Sequence, residues 1–262
     1  MAERKPIADL HLHSNHSCDS KSTIDEMCQT AIERGLEVVC FTEHVDWNTA
    51  DEGLDYYRYD AHTRAIRLAQ EKYAGKLEVL QGVEFSEPHV YPKQFELLMK
   101  NELDFVLGSM HYLGGTWVGD QRILEDNTLE QVYERYYQEV LKAVRFGGFD
   151  CLAHIDVPKR NLGVKIEPAE MLDEILQELV RKHIALEINS SAIRRELTEL
   201  HPSDAILDRY VRWGGKIVTT GSDSHQRERI GANFSLISEK ISQFGLQPVY
   251  FKNRQAVTIE RR

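Results

Sequence analysis

Short apolar segments alternate with amphipathic segments along the chain. Seven apolar runs, rich in β-branched residues and bounded by polar residues or glycine, span residues 7–10, 37–42, 77–83, 105–108, 149–153, 184–188 and 216–220. Runs of this length are typical of strands that are covered on both faces. The alternation therefore predicts parallel strands with helices packed outside them.

The segments between these runs show helical periodicity. A capping box fits at Ser22 or at Thr23, an apolar stripe follows it, and Gly35 is the predicted helix stop. Further helices are predicted over 57–73, 128–145 and 204–213, and after Pro168. Seven strands favour a single-domain α/β barrel of the TIM-barrel type, incomplete or distorted, and an open sheet is the alternative. Residues 248–262 are predicted to form a strand or an anchoring tail.

Composition narrows the class of protein. The chain has 262 residues, which fits one domain over 1–262, and 42% of them are hydrophobic. The 32 Lys and Arg against 42 Asp and Glu give a net charge of −10, unlike a typical nucleic-acid binder. We find no apolar run long enough to span a membrane and no secretory signal, so we expect a cytoplasmic protein without a membrane partner. The cysteines form no C-x-x-C pair, and we expect free thiols. The acidic net charge leads us to expect no nucleic-acid partner.

Each predicted strand leads into side chains that can bind metals. Six of the 11 histidines lie at these positions. The strand-end residues are Asp9, His11 and His13; Glu43 and His44; Glu84; His111; His154 and Asp156; Glu187 and Asn189; and Asp223 and His225. The carboxyl ends of parallel strands meet on one face of an α/β fold, where active sites lie. Residues more than 200 positions apart are thus predicted to share one cleft.

The residue types indicate a metal centre. His11 and His13 are two positions apart on a strand, so both imidazoles point to the same side. Imidazole and carboxylate together suit zinc, iron or manganese better than magnesium or calcium. Glu84 has two oxygens and can bridge two ions. A lone histidine is usually structural, but burying this many ionisable groups without partners would be very costly.

Several motifs resemble, in order, those of the polymerase-and-histidinol-phosphatase superfamily. They are DLHLHS (9–14), FTEH (41–44), GVE (82–84), GSMH (108–111), LAHID (152–156) and GSDSH (221–225). The resemblance covers residues 7 to about 235. DVPKR (156–160) and EINSSAIRR (187–195) are most similar to the histidinol-phosphate phosphatase branch.

This resemblance implies a distorted (β/α)7 barrel that holds two or three divalent ions. The first ion would bind His11, His13, Glu84 and Asp223; the second would share Glu84 and add His111 and His154; the third would bind His44, His225 and Asp19. Many relatives have a histidine where this chain has Asp19. His16 is the alternative third-site ligand.

The resemblance also implies the reaction, which is hydrolysis of L-histidinol phosphate to L-histidinol and phosphate. The expected catalytic residues are Glu84, Asp223 and His225. Arg160 and Arg194 are expected to bind the phosphate, with Lys159 and Arg195 as adjacent competitors, because arginine presents a planar fork to phosphate oxygens. Ser14 is a further candidate for binding phosphate. The proton for the leaving alcohol would come from Asp223 or a histidine.

Two other functions are compatible with the metal motifs. One is another phosphoesterase of the same fold, either a nucleotide phosphatase or a 3′–5′ exonuclease. The acidic charge and the absence of an aromatic-basic run disfavour the exonuclease. The other is a non-catalytic metal-binding module, which the filled ligand positions disfavour. We therefore expect a small phosphorylated substrate.

Overall fold

The predicted alternation of strands and helices is present in the structure, a computed structural model that describes residues 8–195 and 197–259. The strands are β1 (Ala8–Leu12), β2 (Val38–Val45), β3 (Glu78–Ser86), β4 (Phe105–Ser109), β5 (Tyr112–Leu113), β6 (Thr116–Trp117), β7 (Cys151–Leu152), β8 (Ala185–Asn189), β9 (Ile217–Gly221), β10 (Gln247–Lys252) and β11 (Gln255–Thr258). The helices are α1 (Ile24–Glu33), α2 (Tyr59–Lys72), α3 (Pro92–Leu98), α4 (Leu129–Phe146), α5 (Lys159–Leu162), α6 (Ala169–Lys182), α7 (Asp204–Arg212) and α8 (Phe234–Gln243). Residue 7, the first of the predicted strand positions, lies outside the described residues.

The seven predicted strands form a distorted barrel, which confirms the predicted fold class. They pair side by side in the order β1-β2-β3-β4-β7-β8-β9, all parallel. The last of them returns to the first, because the His13 amide donates to the Ser224 carbonyl at 2.9 Å and the Thr220 hydroxyl donates to the Ala8 carbonyl at 2.6 Å. The carboxyl ends of all seven strands therefore surround one opening.

A bulge in β1 changes the direction in which its side chains point. Ala8 and Asp9 pair with consecutive residues of β2, but between Asp9 and Leu12 the strand contains one residue more than its partner. Leu10, below the bulge, packs inside the barrel, whereas Leu12, above it, joins the core under the helices. The extra residue thus lets His11 face the same interior as Leu10.

The C-terminal segment is a hairpin that covers the other end of the barrel. Strand β10 pairs with the first residues of β9, and β11 pairs antiparallel with β10, which extends the sheet to nine strands. Phe251 stacks on Phe105, at the start of β4, with 5.2 Å between ring centres. Of the two predictions for residues 248–262, the strand is correct for the described part, and residues 260–262 lie outside it.

The helices cover the outside of the barrel, as their apolar stripes predicted. Helix α1 begins at the capping box of Thr23 and Glu26, and not at Ser22. Helices α3, α5 and α8 and the small hairpin β5–β6 are additional elements that the sequence pattern did not predict. No helix within residues 8–195 and 197–259 combines the length and apolarity needed to cross a membrane.

Candidate metal centre

The opening at the carboxyl ends of the strands holds all nine predicted metal ligands. Each side chain comes from a strand end or from the segment that follows it. The ligands are His11, His13, Asp19, His44, Glu84, His111, His154, Asp223 and His225. Most are buried, and a cavity of about 460 Å³ opens above them.

The first predicted group lies where β1, β3 and β9 meet. Glu84 Oε2 is 3.3 Å from His11 Nε2 and 3.6 Å from His13 Nε2. Asp223 Oδ1 is 3.5 Å from His13 Nε2 and 3.8 Å from His11 Nε2. Ligand atoms of one tetrahedral zinc ion lie about 3.3 Å apart, given bonds of about 2.0–2.1 Å. The four side chains therefore have the spacing of a single ion site.

The second group uses the other oxygen of Glu84. Its Oε1 lies 3.0 Å from His154 Nε2 and 3.3 Å from His111 Nε2. Glu84 is therefore placed between two sets of imidazoles, one at each oxygen, as a bridging carboxylate would be.

The third group lies at the edge of the opening. Asp19 Oδ2 is 2.9 Å from His225 Nε2 and 3.6 Å from His44 Nε2, and the two imidazole nitrogens are 3.3 Å apart. His16, the alternative ligand, instead packs near the ring of His62, with 5.4 Å between centres. The structure thus places Asp19, and not His16, with this pair.

Several ligand imidazoles are held through their second ring nitrogen. His11 Nδ1 is 2.7 Å from Glu187 Oε1, and the other oxygen of Glu187 accepts the His154 amide at 2.8 Å. His111 Nδ1 is 2.8 Å from the Ser86 hydroxyl. Such contacts fix the orientation of a metal-binding histidine and its tautomer. Glu187, which was predicted only as a strand-end residue, therefore fixes the orientation of the His11 imidazole through its Nδ1 atom.

The donor atoms fit a bound metal ion. His11 Nε2, His13 Nε2 and Glu84 Oε2 are buried and have no hydrogen-bond partner among the described residues. Leaving buried polar atoms without partners is costly unless a ligand satisfies them. The mixture of imidazole nitrogen and carboxylate oxygen is the set that zinc, manganese and iron accept.

Charge in the centre is balanced by pairing. Burial by itself would raise the pKa of Glu84, but the charges of His11 and His111 outweigh it and hold that pKa well below its usual range. Burial likewise favours neutral His11, yet the carboxylates of Glu187 and Glu84 raise the pKa of this imidazole well above its ordinary value. The same carboxylates would attract a divalent cation.

Residues 9–191 match the family model described as the PHP domain, which is more than half of the chain. The chain belongs to the PHP domain family. This confirms the resemblance identified in the sequence. Asp223 and His225 lie beyond the matched residues, yet their side chains join the candidate metal centre.

Several proteins similar to this PHP domain are named histidinol-phosphatases. A probable histidinol-phosphatase of Clostridium acetobutylicum is 32% identical over 95% of this chain and 98% of its own. The histidinol-phosphatase of Lactococcus lactis is 29% identical over 84% of this chain and 85% of its own. A crystal structure of the histidinol phosphate phosphatase of Lactococcus lactis, complexed with zinc, L-histidinol and phosphate, has a TM-score of 0.87 and 27% identity, covering 97% of this chain and 99% of that one.

Two arginines of the PHP domain line the cavity, as predicted. Arg160 donates to Asp223 Oδ2 at 2.9 Å and to the Ser191 hydroxyl at 3.2 Å, while its Nε is buried without a partner among the described residues. Arg194 is held by two backbone carbonyls, those of Ser222 and Asp223. Both guanidinium groups lie beside the metal centre.

Other predicted phosphate ligands of the PHP domain lie elsewhere. Lys159 is buried and donates to Asp156 at 2.5 Å and to the Leu200 carbonyl at 2.7 Å, so it ties two loops together. Ser14 is buried, and its hydroxyl donates to Glu43 at 2.5 Å. Neither side chain lines the cavity, and the phosphate-binding prediction for Ser14 does not fit this position. The side chain of Arg195 lies outside the described part of the chain.

Three acidic strand-end residues of the PHP domain are structural in this fold. Asp9 accepts the amides of Ser222 and Gly231, and burial raises its pKa to about 6. Glu43 accepts hydrogen bonds from the loop after β1, and Asp156 pairs with Lys159. Their carboxylates do not line the cavity, because they are hydrogen-bonded to backbone amides, a hydroxyl and a lysine of the neighbouring segments.

Sequence reasoning missed the acidic wall of the cavity. Asp46, Asp51 and Glu52, from the segment after β2, line the side near Tyr112 and Trp117. The signal was present in the spacing, because Asp46 is two positions after His44 and shares its strand-end geometry. The motifs of the resemblance stop at His44, and so Asp46 was not identified.

Proposed function

We propose that this protein is a metal-dependent histidinol-phosphatase, a phosphoric monoester hydrolase that converts L-histidinol phosphate to L-histidinol and phosphate in histidine biosynthesis. The observation that carries the proposal is the arrangement of nine candidate metal ligands beneath one cavity that two arginines line. The similarity to a structure described with zinc, L-histidinol and phosphate supports the choice of substrate.

Within this proposal, two or three divalent ions bind the nine side chains described above. Zinc, manganese or iron are the candidates, and Asp19 serves the third site. When bound, such ions lower the pKa of water and stabilise charge on phosphoryl oxygens. Glu84 holds the two main groups together through its separate oxygens.

Arg160 and Arg194 bind and orient the phosphate. The buried Nε of Arg160 has no partner among the described residues, so it is free to donate to a phosphate oxygen. The two carbonyls that hold Arg194 fix its guanidinium plane towards the cavity. Preorganised donors of this kind lower the cost of aligning the phosphate for attack.

The reaction forms a bond from the oxygen of water to phosphorus and breaks the ester bond, and the alcohol leaves with a proton. We propose Asp223, of the first group, and His225, of the third, as the candidate proton donors, since their side chains lie 3.7 Å apart at the edge of the cavity. Asp223→Asn and His225→Gln variants distinguish them. The residue that donates the proton will matter less for 4-nitrophenyl phosphate, whose leaving group needs no protonation.

The decisive assay follows phosphate release from L-histidinol phosphate by metal-stripped protein. We expect no release without metal and restored release with zinc or manganese. Glu84→Gln should lose activity and at least one equivalent of bound metal, because both main groups share this carboxylate. The variant Glu71→Gln, on the exposed face of α2, is the control. Absence of metal-dependent release from the wild type would refute the function.

We further propose that residues 1–262 form one domain of this type. Strand β9 and the hairpin β10–β11 lie beyond the matched residues but complete the same barrel, which supports this view. All four cysteines are free thiols, which supports a cytoplasmic location. A small phosphorylated substrate is the proposed partner, and the absence of nucleic-acid and membrane partners stays a prediction.

A further inference from the structure

The cavity has two poles of opposite charge. Three arginines line one side: Arg160, Arg194 and Arg229. Three carboxylates line the other side: Asp46, Asp51 and Glu52. The order of strands explains this separation, because the exit of β2 faces the exits of β7 and β8 across the barrel. A ligand that joined both poles would carry an anion at one end and a cation at the other.

Asp46 differs from an ordinary surface carboxylate. It is only 4% exposed, and its Oδ1 has no hydrogen-bond partner among the described residues. Asp46 Oδ1 lies 3.8 Å from His111 Nδ1, and Asp46 Oδ2 lies 3.9 Å from His44 Nδ1. A buried carboxylate oxygen without a donor is costly, so this atom is suited to accept a hydrogen bond from a ligand.

Asp46 shares metal-ligand spacing with His44 and His111, so a metal ion is the competing ligand. His111 Nδ1 is already paired with the Ser86 hydroxyl at 2.8 Å and so is not free to bind an ion beside Asp46. His44 Nδ1 lies closer to Glu84, at 3.1 Å, than to Asp46, and like Asp46 Oδ1 it has no hydrogen-bond partner among the described residues. Because one of the two imidazole nitrogens is engaged, this position favours an ammonium group over a metal ion.

We propose that Asp46 binds the primary ammonium group of the substrate and makes the enzyme select phosphate monoesters of amino alcohols. This inference deepens the proposed function and rests on it. L-Histidinol phosphate carries its amine on the carbon next to the one that bears the ester oxygen. An ammonium so close to the phosphate needs a partner beside the metal centre, where Asp46 lies between two predicted ligands. Asp51 Oδ1 already accepts the Gly53 amide at 2.6 Å and so contributes mainly negative potential.

The acidic wall is held in place before any substrate binds. The Asn48 side chain donates to the Gly114 carbonyl at 2.7 Å, which ties the segment after β2 to the hairpin β5–β6. The Asp55 amide donates to the Asp46 carbonyl at 3.1 Å and fixes the start of the segment. A preorganised carboxylate binds a cation without paying for the ordering of a loop.

The test compares kcat/KM for pairs of substrates that differ in the amine. One pair is L-histidinol phosphate and its N-acetyl derivative, and the other is phosphoethanolamine and ethyl phosphate. We expect the wild type to prefer the amine in each pair. Asp46→Asn should lower this preference about tenfold or more, through KM for the amine, because a charge-assisted hydrogen bond is lost. Asp55→Asn, on the same loop but exposed and paired with Arg58, should keep the preference.

Bound metal is measured in each variant. An Asp46→Asn protein with less metal and equal losses on all four substrates would make Asp46 a metal ligand and overturn the inference. An unchanged preference, or a wild type without one, would overturn it too. Asp46→Ser replaces the asparagine variant if that protein does not fold. Amine preference without any cleavage of L-histidinol phosphate would refute the proposed function but support the ammonium site.

Discussion

Gly221, at the end of β9, lies directly behind the metal centre. A Cβ atom at this position would be 2.2 Å from Glu187 Oε1 and 2.6 Å from the Cβ of His11. Neither neighbour can retreat, since both are buried. The missing side chain of this glycine is therefore what allows Glu187 to reach His11.

We expect Gly221→Ala to displace the contact between Glu187 and His11. Metal affinity should fall roughly 10–100-fold, which is typical when such a supporting contact is lost. Competition with a chelator measures this affinity, and circular dichroism checks that the fold is kept. Gly115→Ala is the matched control, because a Cβ there meets nothing within 4 Å. Equal affinity in the two variants would contradict this account.

His62, buried in α2, links stability to pH. Burial lowers its pKa to about 3, against an ordinary value of 6.5. Between these values the unfolded chain binds a proton that the folded protein does not. Stability therefore falls as the pH falls through this window, by about 1.4 kcal/mol for each pH unit from this residue.

The variant His62→Gln removes this titration. From pH 7 to pH 5, we expect the wild type to lose about 2 kcal/mol more of its free energy of unfolding than the variant, as measured by urea unfolding. His183→Asn, at an exposed helix end, should behave as the wild type does. Parallel pH profiles for wild type and His62→Gln would rule out this role.

At the scale of elements, the apolar pattern predicted where strands begin better than where they end. Strand β2 runs three residues beyond its predicted end at Thr42, through Glu43 and His44. Strand β3 likewise runs past Val83 through Glu84. The predicted runs stop just before Glu43 and Glu84, but the backbone pairing goes on, because these side chains find partners inside the fold. The prediction that these residues lie at the carboxyl ends of strands was thus correct, but the predicted strands were too short to include them.

Two of the missed features leave no periodic pattern in the sequence. The hairpin β5–β6 has strands of two residues each, too short for any alternation to show. The bulge in β1 also left no mark in the pattern, because it depends on pairing with β2. Non-local hydrogen bonds, and not local propensity, decide such features.

The hairpin β10–β11 is expected to stabilise the barrel without touching the metal centre. Phe251 is 6% exposed and packs on residues of the barrel interior. Phe251→Ala should lower the free energy of unfolding by about 3–5 kcal/mol, the usual cost of emptying such a site. Lys252→Ala, which loses only an exposed ion pair with Glu78, should cost less than about 1 kcal/mol. Similar costs for both variants in denaturant titrations would show that the hairpin does not share the core.

At the scale of the whole molecule, the predicted ion sites join distant parts of the chain. His13 directly follows the first strand of the barrel and Asp223 follows the last, and their ligand atoms are 3.5 Å apart. Ions that bind only the folded protein add to its stability. The motifs predicted this convergence because parallel strands must end on one face. They left out Asp46, although its spacing from His44 was a signal, and they left out the arrangement of charge around the cavity, which depends on loop conformation.

We therefore expect metal to raise the melting temperature. At a free concentration of 100 times the dissociation constant, one site adds about 2.7 kcal/mol, which corresponds to roughly 5–10 °C for a domain of this size. Differential scanning calorimetry with and without zinc or manganese measures the shift. His13→Gln should lose most of it, whereas the exposed variant Glu71→Gln should keep it. An equal melting temperature with and without the added ion would argue against these sites.

The bulge in β1 decides which single-residue deletions the ion sites can tolerate. Deleting Leu10 would remove the bulge and restore plain alternation, so His11 and His13 would still face the interior. Deleting Leu12 would also remove the bulge, but His11 would then lie opposite Phe41 and turn towards the core under the helices. A relative with a one-residue gap at Leu12 should therefore have lost ion binding even though both histidines of this stretch are still present, whereas a gap at Leu10 should leave binding intact.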